Sequence, residues 1–70
     1  MINEEAIGYA VGALYRKLTE EGKSFEEKHK RCSDLADEMY RFFDFKTEDE
    51  AYKIGKQILR AQSENDIEPY

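Results

Sequence analysis

His29 and Cys32 sit three residues apart, a spacing that brings two side chains to one side of a helix. A thiol beside an imidazole is the pairing of a nucleophile with its base. The same histidine closes Glu26-Glu27-Lys28-His29, a Glu-x-x-His run. Di-iron bundles use two such runs, together with two further inward glutamates. The surroundings weaken both readings. Cys32 falls within the apolar stripe of its helix and His29 beside it, where a cysteine behaves as a small hydrophobe. A reactive thiolate needs an electropositive, partly exposed setting. The metal reading needs an inward acid from another helix, and the core stripes of the first and third helices contain none. One histidine and one cysteine cannot fill a four-ligand zinc site. The chain also has no glycine-rich phosphate loop. The expectation is therefore no catalytic residue, no cofactor, no metal and no enzyme activity.

The stretch carrying these residues is the most strongly patterned in the chain. Ser24 followed by Glu27 is a capping box that opens a helix over residues 24–43. Phe25, Cys32, Ala36, Met39 and Phe43 form one stripe at three- and four-residue spacing. Leu35 and Phe42 widen it on one side, His29 and Tyr40 on the other. A stripe this wide suits a helix packed against two neighbours. Acid-before-base pairs four apart, Glu26 with Lys30, Glu27 with Arg31 and Asp37 with Arg41, support the helix.

Asn3 is the expected N-cap of a first helix over residues 3–19, with Ile7, Ala10, Val11, Leu14 and Leu18 inward. Gly8 and Gly12 sit at the edge of that stripe. Glycine inside a helix costs roughly 1 kcal/mol against alanine, so the pair predicts close packing there, by aromatic rings of the second helix or by another chain. Gly22 supplies a left-handed stop before the polar turn. Phe45, in the second connection, is expected to fold back and seal the bundle end. Thr47 and Glu50 form another capping box, opening a third helix over residues 47–62. Ala51, Ile54, Ile58 and Ala61 should face inward there, with Gly55 and Leu59 on the flank. The fold class is all-α: a compact three-helix bundle over residues 1–62 with a long central helix. A flexible, disordered or loosely docked acidic tail over 63–70 follows.

The net charge is −5 at pH 7. Residues 1–62 hold 13 acids and 11 bases, so the body is nearly neutral and the tail carries much of the imbalance. Acids gather at helix starts and bases nearer helix ends, as the helix macrodipole favours. A nearly neutral body is a poor ligand for a phosphate backbone. As a helix-turn-helix, the recognition helix would begin at Glu48-Asp49-Glu50, which repels DNA. Direct nucleic-acid binding is not expected. No apolar run approaches the roughly 20 residues that span a bilayer, and the first ten residues carry acids where a signal peptide carries bases. A cytoplasmic setting with Cys32 reduced is the expectation, action inside a host cell after delivery being the alternative.

What remains is a binding module. Five tyrosines and four phenylalanines are more than so short a chain needs for its core. A core this small rarely supplies more than ~3–5 kcal/mol unaided, and one cysteine makes no internal disulfide, so association is the natural help. The expected function is protein–protein interaction, as a small acidic regulator or inhibitor occupying a larger partner, for instance a nucleic-acid-binding protein. A homodimeric accessory protein is the alternative. The partner-binding candidates are Tyr9 on the first helix, and Tyr52 with the basic strip Lys53, Lys56 and Arg60 on the third.

Overall fold

Extended backbone at Ile2, Ser24 and Thr47 precedes each of three helices. In the computed structural model, which describes residues 2–67, these are α1 (Asn3–Glu20), α2 (Phe25–Phe45) and α3 (Glu48–Arg60). A short 3-10 turn, Glu64–Asp66, follows, and there is no strand among the described residues. The chain is an all-α three-helix bundle.

The helix ends show the local chemistry that fixes them. Thr47 and Glu50 complete a reciprocal capping box. Glu50 N–H donates to Thr47 Oγ1 at 3.2 Å, and Thr47 N–H donates to the Glu50 carboxylate at 2.9 Å. Before α2 only half of the box forms: Glu27 N–H donates to Ser24 Oγ at 3.2 Å. The N-cap of α1 is Ile2 and not Asn3. The Ile2 carbonyl accepts from Glu5 and Ala6 N–H, both at 3.1 Å, and no side chain caps this end. Gly22 adopts φ +78°, the left-handed region that costs glycine nothing. Gly22 N–H donates to the Thr19 carbonyl at 3.0 Å and Lys23 N–H to that of Leu18 at 3.1 Å, which closes α1 in a Schellman motif.

That turn sends α2 back along α1, and this seam is the closest packing between helices. Leu18 is 1% exposed and Cys32 7%. Cys32 Sγ lies 3.7 Å from the Val11 carbonyl oxygen. Nearer the turn, Lys28 Nζ donates to Thr19 Oγ1 at 3.1 Å and stands 4.4 Å from the centre of the Tyr15 ring. Pairing 11 with 32, and 15 and 19 with 28, is the register of an antiparallel hairpin. Ile7, Ala10, Leu14, Leu35, Ala36, Met39 and Phe43 are half-buried, on the stripes the spacing marks.

α3 packs more sparsely. Near its start the three helices meet around a cleft of about 560 Å³, with Ala6, Phe42, Phe43, Ala51 and Tyr52 in its lining. The radius of gyration is 13.7 Å and the extents are 34 × 30 × 16 Å. A fully compact chain of this length would have a radius of about 11 Å, so the bundle is flattened.

Several packing expectations change. A Cβ added at Gly8 or Gly12 would meet no atom within 4 Å. Both glycines are exposed, because the seam with α2 runs along another side of α1. Phe25 is 62% exposed despite its place on the stripe, and its ring lies against His29 at 5.9 Å. Phe45 belongs to the last turn of α2. Its ring meets Phe42 edge-on at 5.6 Å but stays 59% exposed, so it only partly seals that end. Ile58 is 45% exposed and not inward, because α3 is covered on one side alone. The ion pairs that form are Lys30 with Asp34, Arg41 with Glu38, Arg16 with Glu20 and Asp49 with Lys53. The pairs marked from spacing on α2, Glu26 with Lys30, Glu27 with Arg31 and Asp37 with Arg41, are not among them in the described residues. Such exposed pairs rotate among neighbouring partners at little energetic difference.

Two tests follow from this packing. Leu18→Ala removes the only side chain below 2% exposure among the described residues, at a cost of about 2–5 kcal/mol. That is comparable with the whole stability of so small a core, so thermal melts followed by circular dichroism should lose their cooperative transition. Thr47→Ala should cost about 1 kcal/mol in urea melts. The Thr47 backbone N–H, and secondarily its hydroxyl, hold the Glu50 carboxyl below the ordinary glutamate value. A depressed carboxylate stabilises the fold above its unfolded pKa and loses that effect as pH falls through the folded one. Glu50→Gln should therefore flatten the acid limb of the stability profile.

Candidate functional site

α3 is amphipathic, and its polar side carries bases at one-turn intervals. Lys53, Lys56 and Arg60 project on that side, with Tyr52 at its edge. These four line one shallow groove of about 540 Å³, together with Asp49, Gln57, Ala61 and Asp66. The far wall comes from the residues after α3. Gln62 N–H donates to Asp66 Oδ2 at 2.9 Å, and this bond curls the chain into the 3-10 turn that brings Asp66 to the groove.

Three cations and two carboxylates share the groove, and their pairing decides what it offers. Lys53 Nζ is 3.0 Å from Asp49 Oδ2, both side chains being about 70% exposed. Lys56 Nζ stands 5.1 Å from the centre of the Tyr52 ring, a cation–π contact across one helical turn. Arg60 makes no ion pair among the described residues. The groove therefore presents a planar five-donor guanidinium beside an ammonium on an aromatic ring. That combination recognises carboxylates and other anionic groups.

Four of the five residues singled out from sequence thus share one surface. Tyr9, 74% exposed on α1, is not among those lining it. The sequence reading did not include Asp49, Gln57, Ala61 or Asp66 in the site. The only local signal for the last was the turn-forming run Ser63-Glu64-Asn65-Asp66. Of the tail, Ser63–Asp66 are exposed, Ile67 is half-buried, and Glu68, Pro69 and Tyr70 lie outside the described residues.

The other candidate chemistry is separated by the fold. Cys32 is buried with Sγ toward the Val11 carbonyl, whereas His29 is exposed beside Phe25. The two share no hydrogen bond among the described residues. Among those residues, no group of three or more His, Cys, Asp or Glu side chains could hold a metal ion. No helix among them is long and apolar enough to cross a membrane.

No protein-family model matches the chain, and no curated protein or solved structure matches it. The geometry of Cys32 makes a direct prediction. A water-soluble disulfide reagent should label its thiol slowly in the native protein and fully in denaturant, followed by absorbance. Rapid labelling of the native protein would contradict the buried placement.

Proposed function

We propose that this chain is a small non-enzymatic protein-interaction module that acts by occupying a larger partner, as a regulator or inhibitor. The observation that carries this reading is the α3 groove, in which Tyr52, Lys53, Lys56 and Arg60 converge with exposed or half-exposed side chains. An acidic segment of a partner protein fits it: carboxylates would meet Arg60 and Lys56, and apolar atoms would lie on Tyr52. Aromatic and arginine side chains are the groups that most often anchor such interfaces.

The first turn of α3 argues against a nucleic acid as the occupant. Glu48, Asp49 and Glu50 are all exposed there, where a phosphate backbone would have to approach. A larger partner that itself binds nucleic acid remains compatible, since the remaining acidic surface of this chain could cover a basic one. The reading places the protein in the cytoplasm, where Cys32 stays a thiol.

The test is charge reversal. The double variant Lys56→Glu, Arg60→Glu should weaken capture of the partner from a native-cell extract by about tenfold or more, a change of 1.4 kcal/mol. Its melting temperature should stay that of the original chain, since neither side chain is buried. Unchanged capture would remove the groove from the function.

A further inference from the structure

The cleft where the three helices meet has a floor and a rim of different chemistry. Ala6, Phe42, Phe43 and Ala51 are half-buried and make the floor. Asn3, Glu48 and Tyr52 are exposed and stand at the rim, with Lys46 half-buried beside them. Its volume of about 560 Å³ falls in the size range of small-molecule sites, which lie between bundle helices and pair apolar walls with a few converging polar groups. We infer that this cleft binds a free aromatic α-amino acid. The ring of the ligand lies against Phe42 and Phe43, its carboxylate meets the Lys46 ammonium, and its ammonium meets the Glu48 carboxylate.

Two opposite charges at one opening select the charge of the ligand. Lys46 and Glu48 flank Thr47 and line the same cleft, yet neither forms an ion pair among the described residues. Lys46 leans on the Phe45 ring instead, its Nζ standing 5.7 Å from the ring centre. Glu50 feels the Lys46 charge, but its carboxylate accepts from the Thr47 N–H at 2.9 Å and does not line the cleft. A ligand that is only an anion would meet Lys46 and be opposed by Glu48, and a ligand that is only a cation would meet the reverse. A zwitterion with its two charges a few bonds apart satisfies both. The Asn3 amide at the same rim can donate to the carboxylate or accept from the ammonium.

The floor is built for a ring. Phe42 packs edge-on to Phe45 at 5.6 Å, and Phe43 edge-on to Tyr40 at 6.5 Å. Rings held by such neighbours lose little freedom when a further ring joins them. The room comes from two small residues. Ala6 on α1 and Ala51 on α3 each bring one methyl group where a leucine would fill the space. This inference does not rest on the acidic partner proposed above, since the groove and the cleft share Tyr52 alone.

The test is an NMR titration of the full chain with L-phenylalanine or L-tryptophan. A ligand this small binds in the millimolar range, so the titration runs to tens of millimolar. Amide shifts around Asn3, Phe43, Lys46 and Ala51 should change saturably. Phenylpropionate lacks the ammonium and phenethylamine lacks the carboxylate. Each should bind about threefold to fivefold more weakly than phenylalanine, the worth of one exposed ion pair. Free glycine, which lacks the ring, should not bind. Glu48→Gln should weaken phenylalanine but not phenylpropionate, and Lys46→Met should weaken phenylalanine but not phenethylamine. Ala51→Leu fills the cleft and should abolish binding without lowering the melting temperature. Shifts that fail to saturate with both amino acids would overturn the inference. So would phenylpropionate or phenethylamine binding as tightly as phenylalanine, or full binding by a folded Ala51→Leu chain. The ligand series uses the unaltered chain, so its outcome does not depend on any variant folding.

Discussion

The structure depends on one seam. Leu18 of α1 and Cys32 of α2 are the only buried hydrophobic side chains among the described residues, and they hold the hairpin together. Around them the apolar side chains are half-buried, so the seam has little redundancy. The Schellman turn at Gly22 aims α2 back along α1, and the Lys28 bridge to Thr19 and Tyr15 pins the register beside it. α3 is placed relative to this hairpin through few contacts.

A thin core has a structural consequence for the surface. Apolar side chains that find no place in the seam stay exposed: Phe25 and Phe45 near the ends of α2, Ile58 and Leu59 on α3. In a larger domain another layer would cover them. Here no such layer lies over them among the described residues, and the exposed stripe on α3 lies next to the basic groove with Tyr52 bordering both. α3 therefore offers two different surfaces on one short helix, one suited to anions and one to apolar contact. Its secure N-terminal capping box lets it keep its shape with little support from the hairpin.

The same economy separates the thiol from the imidazole. The buried position that makes Cys32 useful to the seam takes its thiol away from His29, whose ring is outside with Phe25. Residues at suitable spacing are brought together only when both lie on the same side of the packed stripe. At the start of α2 the stripe passes between them.

Sequence alone determined the helices, because caps, spacing and glycine punctuation act over a few residues. Ser24, Thr47 with Glu50, and Gly22 mark their own turns, and the stripe through Leu18, Cys32 and Phe43 marks the sides that meet. It also marked Tyr52, Lys53, Lys56 and Arg60, since one-turn spacing on a short helix puts them on one surface. Only the tertiary structure decided how much of each stripe is covered. Spacing shows which residues share a face, and coverage depends on where the neighbouring helix lies. Gly8 and Gly12 face open space, Ile58 and Leu59 lack a neighbour, and Asp66 reaches the groove, all for that reason.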